Sequence, residues 1–356
     1  MDFDINIEEI WKDYGLGELE EGLKTLFPEY SVSLEGLLQK VLSGDILGAG
    51  TDLLESVMKG LGSQFTGLKN ILVWLLVLGI ISALMSYFAG IFDRYQIADL
   101  SFYVMYLLMT VVLLKCFEQV AQTAVDVMEN VVLFMKMLVP AYMLSVGIAT
   151  GTTTVSAYYQ LLLLLIYGVE NILVSGVVGL VYSYCVLAIV NGIWIEEKLT
   201  MLLELLAKGI GVLLKAAVGV VTGISIFQSV ITPVIDSVKS SALQKAISAI
   251  PGIGNAADGV VELVTGSAVI IKNSLGIVLL LLLLALCVSP LLQILLMAFL
   301  LKAAAAMMGI VSDKRLTTCT DRVGEGIMML FRTAGTAMLL FLVTISVVTM
   351  STNRGF

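Results

Sequence analysis

Long apolar stretches recur along this 356-residue chain, and they constrain its fold more than any other feature. A run of 18 or more mostly apolar residues is long enough to cross about 30 Å of hydrocarbon as a helix. Hydrophobic residues make up 59% of the chain and charged residues only 13%, a balance that excludes a soluble domain of this length. Short alternating strands are not visible, and lipid offers no partner to an unpaired backbone group. The chain is therefore predicted to be an all-α, polytopic membrane protein.

The membrane part also carries an internal repeat. Residues 192–217 align with residues 309–334, 117 positions later, and eight of the 26 pairs are identical. Four further pairs keep the sign of their charge, which weighs more than matched leucines because charge is scarce here. Internally duplicated membrane domains are typical of transporters and conduits, with the working site between the halves. The repeat therefore makes a conduit, or one component of a transport system, the leading prediction for the class of protein.

The repeat and the charge pattern divide the chain into five segments. Residues 1–67 hold 13 acidic and 4 basic residues, so the net acidity of the protein is concentrated there. This amphipathic head is either a solvated, membrane-skirting element or a docking surface for a basic partner. The predicted segments are an acidic extracytoplasmic head at 1–67, two leading spans at 68–130, repeat A at 131–232, repeat B at 233–350 and a tail at 351–356.

About eight spans and one re-entrant element are predicted. Breaks at Glu170-Asn171 and Ser289-Pro290 correspond under the repeat, which gives three spans per copy and hence an inverted repeat. The segment 131–149 is expected to dip into the membrane and return at Pro140, because the basic loop around residue 315 then lies inside. The head and the acidic stretches at 118–129 and 196–197 then lie outside.

Three ionisable residues within apolar runs are candidates for a pathway or for the interface between the repeats: Glu170, Lys215 and Arg332. A charge near the bilayer centre costs about 2.5–3.5 kcal/mol, so each needs water, a partner or a snorkelling route. Lys215 and Arg332 are repeat mates that either snorkel to the headgroups or face each other across the pseudo-twofold axis. Glu170 is either a functional carboxylate or part of an ordinary hairpin turn.

Turns and a docking loop complete the candidate residues. Pro140 marks the re-entrant element, and Pro251, Gly252 and Gly254 mark a loop-like segment, because proline disfavours helix before it and glycine permits tight turns. That segment either binds an ion or a partner, or simply separates two helices. The basic docking loop is predicted at Lys314, Arg315 and Arg322.

No catalytic, cofactor-binding or metal site is predicted. Histidine, the usual proton shuttle and metal ligand, is absent from the sequence. The four cysteines have no CxxC spacing and are interpreted as small core residues. A Walker-type GxxxxGK[ST] motif and paired carboxylates are also missing, so the chain is not expected to be an enzyme or to hydrolyse nucleotide itself.

A set of motifs in the second half is similar to one known family. The run QKAISAIPGIGNAAD at 244–258 is followed by IKNSLG at 271–276, SP at 289–290 and SDKRLTTC at 312–319. In this order and spacing they resemble the stage III sporulation protein AE family, over roughly residues 67–350. Members usually begin with a signal-like segment, and its absence here is expected to reflect processing or trimming.

The resemblance implies a multispanning protein of the mother-cell membrane around the forespore of an endospore-forming bacterium. It implies a part in a secretion-like channel complex that links mother cell and forespore. The expected partners are proteins of the same sporulation operon, including a secretion-type ATPase and ring-forming proteins, and further copies of the chain; nucleic acid is not expected. The alternatives left open are a stand-alone secondary transporter for a small anion and a membrane scaffold without a pathway.

Overall fold

Every regular element in the described part of the chain is a helix. The computed structural model describes residues 34–53, 95–150, 152–194, 198–248, 254–310 and 312–351, with scattered positions before residue 95. The elements are α1 at Leu34–Leu42, α2 at Tyr95–Thr150, α3 at Thr152–Gly168, a π-helical segment at Val169–Val177, α4 at Val178–Ile193, α5 at Thr200–Ser248, α6 at Gly254–Met308 and α7 at Lys314–Ser351. The all-α prediction is confirmed for these residues.

Five stretches of these helices are long and apolar enough to cross a membrane. They are Phe102–Gly147, Thr154–Ile193, Thr200–Ile231, Val269–Met308 and Lys314–Met350. Each has between 32 and 46 residues, well above the about 20 that a bilayer core needs, so the helices tilt or project beyond the hydrocarbon. Among the described residues the expected eight spans are not confirmed.

The expected breaks lie inside continuous helices. Glu170 and Asn171 belong to the π-helical segment, where Asn171 Nδ2 donates to Tyr167 O at 3.2 Å and the chain does not turn. Pro290 lies within α6 and Pro140 within α2. Each proline removes one backbone hydrogen bond, yet both helices continue through it. The hairpin breaks at residues 170 and 290 and the re-entrant turn at Pro140 are therefore corrected.

The spanning helices form an up-and-down bundle with α7 at its centre. The starts of α2 and α7 meet where the Arg315 guanidinium lies 3.4 Å from the centre of the Phe102 ring. The start of α5 joins them, because Arg322 Nη2 donates to Thr200 Oγ1 at 3.3 Å. We call this the proximal end. At the distal end, Tyr142 OH lies 2.7 Å from Thr349 Oγ1.

The two repeat copies are helical hairpins that point the same way. In the first copy, α3, the π-helical segment and α4 run to the proximal end and α5 returns; in the second copy, α6 and α7 do the same. Two crossings per copy preserve direction, whereas three would reverse it. The inverted repeat is not confirmed, and the loops before Thr200 and before Lys314 share one end. This corrects their predicted placement on opposite sides.

The interior is apolar and closely packed. All four cysteines are buried and free, as the core interpretation predicted. At the crossing of α4 and α7, Gly326 lies so close to Cys185 Sγ that a methyl group would overlap the sulfur. In the acidic head, α1 buries Leu37, Leu38 and Val41 and packs on α6. The described part of the head is thus attached to the bundle.

Candidate functional site: charged groups on the membrane helices

Two of the three predicted docking-loop residues, Arg315 and Arg322, make contacts that stabilise the proximal end of the bundle. Asp313 accepts hydrogen bonds from the Arg315 backbone N–H at 2.8 Å and from the Arg315 guanidinium at 3.3 Å. The Arg315 side chain also covers the Phe102 ring and is only 18% exposed. Arg322 bonds to Thr200. Lys314, in contrast, is exposed at the start of α7 and remains available to a partner.

A cluster of four charged residues joins α6 to α7 near the proximal end. Lys302 Nζ lies 3.3 Å from Asp321 Oδ1 and 3.1 Å from Glu325 Oε2. Arg332 Nη1 lies 3.8 Å from Glu325 Oε1. Two positive and two negative groups balance each other, which lowers the cost of placing them beside apolar helices. Arg332 is therefore a member of this cluster.

The two repeat mates have different surroundings. Arg332 has Glu325 as its partner, and its side chain is 58% exposed. Lys215 is exposed on α5, and no ion pair joins it to another residue in the described ranges. The pairing of Lys215 with Arg332 across a twofold axis depended on an inverted repeat, which the hairpins do not form. These mates remain candidates only as separate surface charges.

Glu170 has a partner that sequence reasoning missed. Its Oε2 accepts a hydrogen bond from Lys136 Nζ at 2.9 Å, across the interface of α2 and the π-helical segment. Both side chains are about half exposed. The two residues are 34 positions apart, so no helical periodicity relates them. Their opposite charges within two apolar runs were the only available signal.

The loop-like candidates are only partly described. Gly254 is the first residue of α6. Pro251 and Gly252 lie outside the described residues. Among those that are described, no group of three or more His, Cys, Asp or Glu residues could hold a metal ion.

The most unusual surface of the bundle is a polar stripe along α2. Eight positions between 115 and 136 are exposed, and seven of them are charged or amide residues. We call these seven the α2 stripe: Lys115, Glu118, Gln119, Gln122, Asp126, Glu129 and Lys136. Leu133 is the apolar exception. A spacing of three and four residues places them along one face of the helix.

The opposite face of α2 is apolar, which fixes the stripe on the outside. Phe117, Ala121, Ala124, Met128 and Phe134 are all buried in the bundle. The charge of residues 118–129 favoured a loop outside the membrane, and the helix that runs through them corrects that prediction. The signal that identifies a helix face instead is the apolar set at 117, 120, 121, 124, 127 and 128, at helical spacing.

Neighbouring helices expose apolar side chains beside part of the stripe. Phe117 packs edge-on against Tyr182 of α4, whose ring centre is 5.0 Å away. A cleft between α2 and α6 is lined by Gln119, Thr123 and Gln293. Close to these contacts, α4 exposes Leu180 and α6 exposes Leu292. One helix is polar on the outside at a level where its neighbours are suited to lipid.

In the described part of the chain, five helices are long and apolar enough to cross a membrane, and this bundle defines an integral membrane protein. Residues 32–352 match the profile of stage III sporulation protein AE, and the chain belongs to that family. It is similar to the stage III sporulation protein AE of Bacillus subtilis (strain 168), with 21% identity over 335 residues, 92% of this chain and 82% of the relative. No solved structure matches the chain significantly. The resemblance seen in its motifs is thereby confirmed, and the chain is a membrane protein with a role in sporulation.

Proposed function

We propose that this chain is a non-catalytic integral membrane component of a sporulation-specific secretion or channel complex that links mother cell and forespore. The observation that carries the proposal is the α2 stripe, a polar outer face on a bundle whose helices are apolar enough to cross a membrane. Such a face is costly in lipid and is satisfied by water or by another protein. A protein built this way works in an assembly.

The proposed partners are a secretion-type ATPase and ring-forming proteins of the same operon. The chain has no nucleotide-binding motif of its own, so energy has to come from another subunit. The proposed location is the mother-cell membrane around the forespore, with the acidic head outside the cytoplasm. Lys314 is the exposed basic residue through which a partner could dock at the proximal end.

The stand-alone transporter has less support. It rested on an inverted repeat and on a basic lining formed by Lys215 and Arg332. The hairpins run in the same direction, and Arg332 belongs to the cluster with Glu325. Neither of the two arguments therefore favours it.

Purification of the full chain from sporulating cells in mild detergent tests the proposal. We expect the ATPase and the ring-forming proteins to travel with it, in an assembly heavier than a dimer. The K314Q variant should recover less of these partners than K208Q, which removes another exposed lysine charge on α5. A lone monomer or dimer, with the partners present in the same lysate, would contradict the proposal.

A further inference from the structure

The α2 stripe has the length of a bilayer crossing. Lys115 and Lys136 are 21 residues apart, which corresponds to about 31 Å along a helix. The hydrocarbon core of a bilayer is about 30 Å thick. The stripe is therefore long enough to provide a polar surface from one side of the membrane to the other.

The charges on the stripe are mostly negative. Lys136 is neutralised by Glu170, its partner at 2.9 Å. Glu118, Asp126 and Glu129 then outnumber Lys115 by three to one. Gln122 Nε2 donates to Asp126 Oδ1 at 2.7 Å, which orients that carboxylate within the stripe.

The side of the bundle that carries the stripe extends onto α6. Gln293 lines the same cleft as Gln119 and Thr123, so a second helix adds an amide beside the stripe. Leu180 and Leu292 are exposed nearby and remain apolar. The polar surface thus comprises α2 and single positions of its neighbours, Gln293 on α6 and Glu170 on the π-helical segment.

We propose that copies of this chain assemble with their α2 stripes around a common water-filled pathway that favours cations. A stripe on one helix cannot enclose water by itself, whereas the same stripe repeated around an axis along the helices can. Stripes of equal charge repel when they pack dry against each other, so water lies between them. This inference rests on the proposed function and names the surface that lines its pathway.

Thiol labelling of the full chain in native membranes tests the lining. The four native cysteines, all of which are buried, are replaced first so that the introduced cysteine is the one thiol in the chain. Single cysteines are then placed on the stripe as Q119C, Q122C and D126C, and on lipid-facing positions of similar height as L180C and L292C. A membrane-impermeant methanethiosulfonate reacts with the thiolate, which forms in water and not in hydrocarbon.

We expect the stripe cysteines to react at least about tenfold faster than the two controls, which corresponds to 1.4 kcal/mol. A cationic reagent should outpace an anionic one at Q119C and Q122C, because carboxylates surround these positions. Stripe cysteines that react as slowly as the controls would overturn the proposal that the α2 stripe lines a water-filled pathway.

Cross-linking tests whether the α2 stripe of one chain faces the α2 stripe of another copy. A bifunctional thiol reagent should join Q122C chains to each other in the membrane and leave L180C chains single. Labelled stripe cysteines that cross-link only to a different protein would overturn the assembly from copies of this chain. A further outcome is that the stripe cysteines stay unlabelled in a complex with which the ATPase still co-purifies. That result would refute the proposal that the α2 stripe lines a pathway, and it would leave the proposed function standing.

Discussion

The crossing of α4 and α7 predicts opposite outcomes for the same substitution at two repeat mates. Gly326 and Gly209 are equivalent under the repeat. A methyl group at residue 326 overlaps Cys185 Sγ and lies 3.6 Å from a ring carbon of Phe117. A methyl group at residue 209 meets no atom within 4 Å. G326A should therefore destabilise the protein, and G209A should not.

The magnitudes follow from packing and from helix propensity. Overpacking a close contact costs about 1–3 kcal/mol. Alanine is favoured over glycine in a helix by about 1 kcal/mol. At Gly326 this gain offsets part of the overpacking cost, and at Gly209 it is the one expected contribution to stability. We expect G326A to lower the free energy of unfolding by about 1–2 kcal/mol and G209A to leave it unchanged or raise it. The helix propensity gain is common to both variants, so they should differ by the overpacking cost of about 1–3 kcal/mol.

Unfolding in mixed detergent micelles, followed by circular dichroism, measures both variants. C185A removes the sulfur that the new methyl group would meet, so the G326A/C185A double variant should recover most of the loss. A double-mutant cycle then gives a coupling energy between the two sites. Equal stability of G326A and G209A, or a loss that C185A does not reduce, would refute the packing of α4 against α7.

Three further substitutions test other contacts, each by unfolding of the purified chain in micelles. E170Q removes the charge opposite Lys136 and should cost about 0.6–1.7 kcal/mol, with K136Q adding little once the pair is broken. R315K loses the flat stacking over Phe102 and the forked contact with its neighbouring carboxylate, and should cost about 1–2 kcal/mol. N191A leaves the part-buried backbone N–H of Leu199 without its side-chain acceptor; a cost of about 0.5–1.5 kcal/mol and faster proteolysis between α4 and α5 are expected.

The helical membrane class could be predicted from the sequence because it depends on composition and on the length of apolar runs along the chain. Runs of apolar residues specify helices that lipid can surround. These signals are local or periodic, and the all-α fold agrees with them.

The number of crossings could not be predicted in the same way. A polar pair such as Glu170-Asn171 ends a span when it faces water, but here the carboxylate pairs with Lys136 and the amide bonds to its own helix. The Ser289-Pro290 break was equally misleading, since the helix continues through the proline. Both outcomes depend on contacts that are distant in sequence. An error in the number of crossings then reversed the predicted direction of the second copy.

The candidate site was only partly predictable. Arg315 and Arg322 were recognised as basic loop residues, but their roles at the proximal end depend on Phe102 and Thr200, which lie far away in the chain. The α2 stripe was visible as acidic residues and was assigned to a loop. That prediction followed the high density of charge at residues 118–129. The apolar residues at helical spacing in the same stretch indicate the helix instead.

The orientation of the two hairpins is the claim on which the bundle, the α2 stripe and the proposed pathway all depend. Single cysteines at Lys198 and Lys314, both exposed, report the loops that precede α5 and α7. Sealed vesicles of one orientation are treated with an impermeant thiol reagent from the outside and, after opening, from both sides. Parallel hairpins predict that both cysteines are labelled from the same side. Labelling of the two from opposite sides would contradict the account.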